Sequence, residues 1–159
     1  MNENLTAIKG TACAICSAIG AFLGWKGIMA MVWIVMMIID YGSGTAAACK
    51  AGEWSSARAR EGLWHKAGMI LVVIVAAIGD GIMTVIIGNI PLINMEWPGF
   101  LLPLVLAWYI ITEAGSILEN AVKMGANVPA WLVKILKASL KAVDTAGDTG
   151  LPDDNQNNK

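Results

Sequence analysis

Four apolar runs, separated by short polar stretches, organise this chain. Residues 28–48 carry one charge, Asp40; residues 67–88 carry one, Asp80; residues 100–118 carry one, Glu113. Each run supplies the ~20 mostly apolar residues that a helix needs to cross the hydrocarbon core of a bilayer. Three transmembrane helices are therefore expected. The remaining run, 5–25, has Lys9 near its start and is uncharged only from 10 to 25. Its Gly20 and Gly24 stand at the GxxxG spacing that lets two helix backbones approach in lipid. The expected fold is an all-α integral membrane protein with three to four spans, four being favoured, followed by an amphipathic helix.

Polar positions recur at helical spacing within the runs. Asp40, Gly44 and Ala48 fall on one face of the second run. Ala76, Asp80, Thr84 and Gly88 do so on the third, and Glu113, Ser116 and Asn120 on the fourth. A charge at mid-bilayer costs roughly 2.5–3.5 kcal/mol on the insertion scale. These stripes should therefore face other helices or water and not lipid. Asp80 is expected within a turn of the middle of its span.

Lysine and arginine set the orientation, because cytoplasmic loops keep positive charge. Lys50, Arg58, Arg60 and Lys66 mark one loop as cytoplasmic, and Lys123, Lys134, Lys137 and Lys141 mark the segment after the last span. The connector 89–99 has no lysine or arginine and is expected outside. With four spans both termini are cytoplasmic and Lys26 alone is outside; with three, Lys9 and Lys26 both break the rule. The chain thus divides into a transmembrane domain (1–122), a basic helix (123–143) and a polar tail (144–159) expected to be disordered. In the basic helix Pro129 suits a helix start. Lys134, Lys137 and Lys141 share one face, with Trp131, Leu132, Ile135, Leu136 and Val143 over much of the other. Such a helix is expected to lie on the anionic inner leaflet or to pack on a partner subunit.

Composition supports the membrane class. Of 159 residues 57% are hydrophobic and 14% charged, against roughly 25% charged in an average soluble domain. The net charge of -1 gives no reason to expect a nucleic-acid partner. No nucleophile motif, phosphate loop or dinucleotide fingerprint is present, so neither catalysis nor a cofactor is expected. His65, the one histidine, stands beside Lys66 at the edge of the basic loop. Cys13 and Cys16 form a CxxC inside an apolar run with no second pair and no nearby histidine, which reads as helix packing and not as a metal site. Trp25, Trp54, Trp64, Trp97 and Trp131 stand near span ends, where tryptophan anchors to the interface.

A series of local patterns, in order, carries a resemblance. Asp40-Tyr41-Gly42-Ser43-Gly44 closes an apolar run, the basic loop 50–58 follows, and Gly62-Leu63-Trp64-His65-Lys66 matches a Gly-Leu-x-x-Lys element. Next come a span with Asp80, then Glu113-Ala-Gly-Ser116-Ile117-Leu118-Glu119-Asn120 and, after a small loop, Val128-Pro129-Ala130-Trp131-Leu132. From about residue 20 to 137 the chain resembles the phage holins of the toxin-secretion and phage-lysis type, which include holin-like proteins of clostridial toxin loci. It departs from the pattern at Gly42, where a β-branched residue is usual, and at Ala114 and Gly115, where bulkier ones are common.

The resemblance implies a protein of the host's inner membrane that forms homo-oligomers and permeabilises the bilayer. An endolysin, or in some relatives a toxin, then leaves the cell, and an antiholin is a further possible partner. It marks Asp40, Tyr41, Gly44, Asp80, Glu113, Ser116, Glu119 and Asn120 as functional positions. Two other classes fit the same features: a small cation channel or transporter subunit using the intramembrane carboxylates, and an antiholin or membrane interaction protein.

Overall fold

A computed structural model describes the backbone of residues 2–90 and 96–149, with side chains for all of these except many of the first 23 positions. Four helices follow one another: α1 (Asn2–Ala51), α2 (Ser56–Gly88), α3 (Leu101–Lys123) and α4 (Ala130–Thr149). The helix α1 breaks at Gly24, whose φ of 59° and ψ of −144° are non-helical. Glycine reaches that backbone region without the Cβ clash other residues meet. A Cβ at Gly24 would have no neighbour within 4 Å. This glycine therefore acts through its backbone angles and not through close helix packing.

Local sequence sets the other ends. Two helices end in the same way at the side that carries Lys50 and Lys123. The Gly52 N–H donates to the Cys49 carbonyl and the Glu53 N–H to Ala48, while Gly125 and Ala126 donate to Val122 and Ala121. With φ of 71° at Gly52 and 98° at Gly125, both are Schellman caps, which glycine favours. The Ser55 hydroxyl accepts from the Arg58 N–H at 3.3 Å and caps α2. Helix α2 therefore starts 11 residues before the expected span at 67, because the stretch with Arg58, Arg60 and Lys66 continues the helix inward. Helix α4 starts directly after Pro129 and continues to Thr149, so residues 144–149 are helical where a disordered tail was expected. Residues 150–159 lie outside the described residues.

Three helices are long and apolar enough to cross a membrane: Gly24–Ala51, Ser56–Gly88 and Leu101–Lys123. They run alternately up and down. The expected additional span, 5–25, is helical in backbone, but most of its side chains lie outside the described residues. Helix α3 is the hub and packs against α1, α2 and α4, whereas α1 and α2 touch only slightly.

The packing seam repeats every seven residues. It includes Leu106, Glu113 and Asn120 on α3, Met69 and Ala76 with Asp80 and Ile87 on α2, and Trp33 with Ala47 and Met37 on α1. A seven-residue repeat keeps gently supercoiled helices in register. Hence the expected i+4 stripe on α2 holds at Ala76 and Asp80 and then drifts off. Ile87 is buried, while Thr84 and Gly88 are exposed. Trp33, Met37, Met69 and Leu106 form the apolar core, with the Trp33 ring stacked on Tyr109 at 5.8 Å. The outer faces stay apolar: Val32, Val35 and Ile38 on α1 and Leu71, Val75 and Ile78 on α2 are exposed. So large an exposed apolar surface needs a partner phase, and the span lengths make it lipid.

Candidate functional site

The charges that interrupt the apolar runs meet in two layers. In the inner layer Lys66 of α2 reaches between α1 and α3. Its ammonium donates to both carboxylate oxygens of Glu113, at 2.9 and 2.8 Å, and to Asp40 Oδ2 at 3.0 Å. Glu113 is 4% exposed. The Asn120 amide donates to Asp40 Oδ1 and to the Ser43 hydroxyl, both at 3.1 Å. Asn120 fits there because Gly44 leaves room: a Cβ at Gly44 would stand 3.4 Å from Asn120 Nδ2. The loop end of α1 is tied to α3 by Lys50, which donates to the Met124 carbonyl.

The outer layer is built on Asp80. Its carboxylate accepts from the backbone N–H groups of Leu101 and Leu102, at 3.1 and 3.0 Å, and from Trp97 Nε1 at 3.0 Å. It therefore caps the start of α3 from another helix, where Phe100 at the N-cap makes no side-chain cap. A negative charge is favourable at a helix N-terminus. Lys26 stands 4.0 Å from the same carboxylate. At Gly99, with φ of 65°, a Cβ would collide with the Lys26 ammonium.

The two layers correspond in register. Lys26 and Asp40, Asp80 and Lys66, and Leu101 and Glu113 are 14, 14 and 12 residues apart on their helices, or about 18–21 Å at the helical rise. The core of Trp33, Met37, Met69 and Leu106 fills the space between. Asp80 thus stands at the level of the start of α3, eight residues past position 72, the midpoint of the 33-residue α2. Lys66, expected in the cytoplasmic loop, lies inside the bundle. Its place in the Gly-Leu-x-x-Lys element was the one sequence signal that could have singled it out.

The remaining expected positions are spread around these layers. Tyr41 and Ser116 line a cavity of about 240 Å³ together with Asp40, Lys66 and Asn120. Glu119 is exposed on α3. Lys134, Lys137 and Lys141 are exposed on α4, which packs along α3. The Trp108 indole N–H donates to Asp144 at 2.8 Å. Since Trp108 is near the start of α3 and Asp144 near the end of α4, the two helices run antiparallel. Among the described residues no group of histidine, cysteine and acidic side chains could hold a metal ion.

A family model described as the bacteriophage holin family matches residues 17–141. The chain belongs to that family. The match contains both polar layers and the lysines of α4, and the chain is a holin-like, multi-pass membrane protein. An uncharacterized protein of Halalkalibacterium halodurans is 29% identical over 133 residues, 82% of this chain and 93% of its own length. Two proteins of Clostridium perfringens are each 29% identical over 104 residues, 65% of this chain. One is an uncharacterized protein of strain 13, covered over 69% of its length. The other is an uncharacterized 14.9 kDa protein of the nagH 3′ region, covered over 70%. No solved structure matches the chain.

Proposed function

We propose that this holin-family protein acts as a lysis holin. It accumulates in the cytoplasmic membrane of a bacterium, assembles with copies of itself and opens a lesion through which an endolysin reaches the cell wall. The role is mechanical and not catalytic. The observation that carries the reading is the family match together with a bundle whose intramembrane charges are paired inward while its outer faces are apolar. Three long helices of that kind enter lipid without leaving their mid-helix charges bare, and their apolar faces remain available to other copies.

A cation channel or transporter subunit fits less well. Asp40 and Glu113 are held by Lys66, and Asp80 is engaged by the amides of α3 and by Trp97. Carboxylates so committed do not form a free row of oxygens for a passing cation. An antiholin role would be revealed by delayed lysis when a second holin is co-expressed.

Timed expression in a bacterium, with and without a co-expressed endolysin, tests the proposal. Membrane potential should collapse abruptly in both cultures, and lysis should follow only where the enzyme is present. Steady potential at full protein accumulation would overturn it.

A further inference from the structure

The carboxylates that interrupt the apolar runs of the three long helices are engaged within the subunit, whereas the charges of α4 are not. Asp40, Lys66 and Glu113 bind one another, and Asp80 binds the start of α3. On α4, Lys134, Lys137, Lys141, Thr145 and Asp148 succeed one another at intervals of three or four residues, and all are exposed. Among the described residues none of the three lysines, nor Asp148, has an ion-pair partner. The two threonines Thr145 and Thr149 donate only to carbonyls of their own helix.

Depth makes this stripe unusual. Helix α4 is held lengthwise against α3, with Trp108 bound to Asp144. Trp108 is seven residues from the start of α3, and Asp144 is 14 residues above the start of α4. Lys137, Lys141 and Asp148 therefore stand about 10, 16 and 27 Å up from Ala130 along the direction in which α3 crosses the membrane. A stripe of charged and polar side chains that runs about 21 Å along the helix, through the middle of the ~30 Å of hydrocarbon, is not stable against lipid tails. Lysines close to an end reach the headgroups by extending their stems, and Asp148 stands near the opposite end, but Lys141 is too far in from either side.

We infer that α4, held along α3, lines the water-filled lumen of the assembled lesion with the stripe Lys134–Lys137–Lys141–Thr145–Asp148. The inference rests on the lysis reading above and adds to it the element that meets water. The apolar side of α4, with Leu132, Leu136 and Leu140 part-buried, keeps it on α3, and the apolar faces of α1 and α2 are left for lipid and for neighbouring copies. This differs from a helix lying flat on the inner leaflet, which would have to leave α3.

The test uses the full chain, with its native cysteines replaced by serine, in dye-loaded vesicles of phosphatidylethanolamine and phosphatidylglycerol. In the first arm, Trp108→Cys and Asp144→Cys are joined by a short bismaleimide, which fixes α4 on α3. The joined protein should release dye at the rate of the unjoined variant. In the second arm, a bulky charged thiol reagent is added to Lys141→Cys or Ile135→Cys once leakage has begun. It should slow leakage severalfold at position 141 and leave it unchanged at 135. Failure to join, leakage abolished by joining, or equal effects at 135 and 141 would overturn the lumen assignment and favour the leaflet. Vesicles that never leak, even with the unmodified chain, would overturn the lysis reading as well, so the two failures are told apart.

Discussion

Lys66 and Glu113, 47 residues apart in the chain, are joined by two hydrogen bonds of 2.9 and 2.8 Å from one ammonium to both carboxylate oxygens. This bond closes α2 onto α3, and Asp40 on the other side of Lys66 brings in α1. Three helices that share little direct α1–α2 packing are thus tied at one point within the bilayer.

Removing the cation should be far worse than exchanging it. Lys66→Met leaves two carboxylates without their partner, and breaking a buried ion pair from one side typically costs about 3–5 kcal/mol. Lys66→Arg keeps the charge and should lose much less. Denaturant unfolding of the purified protein in detergent micelles should rank the three proteins wild type, Arg, Met.

Asp80 should matter through the start of α3. Loss of a capping side chain typically costs about 0.5–2 kcal/mol, so Asp80→Ala should fray that end, and Asp80→Asn, which retains one acceptor oxygen, should do so less. Hydrogen exchange at the Leu101 and Leu102 amides should speed up in that order. Unchanged exchange in Asp80→Ala would remove the cap from the account.

Gly44 should tolerate little bulk. Its missing side chain is where Asn120 approaches Asp40 and Ser43, and forcing extra volume into a packed seam typically costs about 1–3 kcal/mol. Gly44→Leu should lower the unfolding midpoint, while Gly42→Leu, where a Cβ has no neighbour within 4 Å, should leave it in place.

Much of this was legible from the chain and some of it was not, for identifiable reasons. The apolar runs were visible because lipid demands ~20 residues in a row, so all three long helices were expected within a few residues at their apolar ends. Asp40 and Gly44 share one face of α1, and Glu113, Ser116 and Asn120 one face of α3, at simple helical spacing, and the meeting of these two faces at the α1–α3 seam follows from it. Lys66 reads as loop from the sequence because it closes a basic stretch with Lys50, Arg58 and Arg60. Which lysine of a basic stretch turns inward depends on a carboxylate 47 residues away, and local pattern does not record that. The part Asp80 plays at the start of α3 is not legible in hydropathy, because its partners, the Leu101 and Leu102 amides and Trp97, lie on another segment of the chain. The helix through 144–149 was missed because Asp144 finds its partner in Trp108, on another helix.

Orientation has its own test. In a cysteine-free background an impermeant thiol reagent should label Glu96→Cys on intact cells and Ala57→Cys only after permeabilisation, since the basic loop is retained inside. Asn2→Cys decides the N-terminal segment: protection in intact cells supports four spans, and labelling leaves three.

The most direct test of the central claim, that the Lys66–Glu113 pair holds together the unit that opens the membrane, is a charge swap read as lysis time. Lys66→Glu gathers three acids and Glu113→Lys pairs two lysines with one acid, so each alone should delay or abolish lysis at equal protein level with an endolysin present. The double variant restores one cation between two carboxylates and should return lysis time toward wild type. If the double variant is no better than the worse single variant, or if neither single change moves lysis time, the pair does not hold the lesion-forming unit and the account is contradicted.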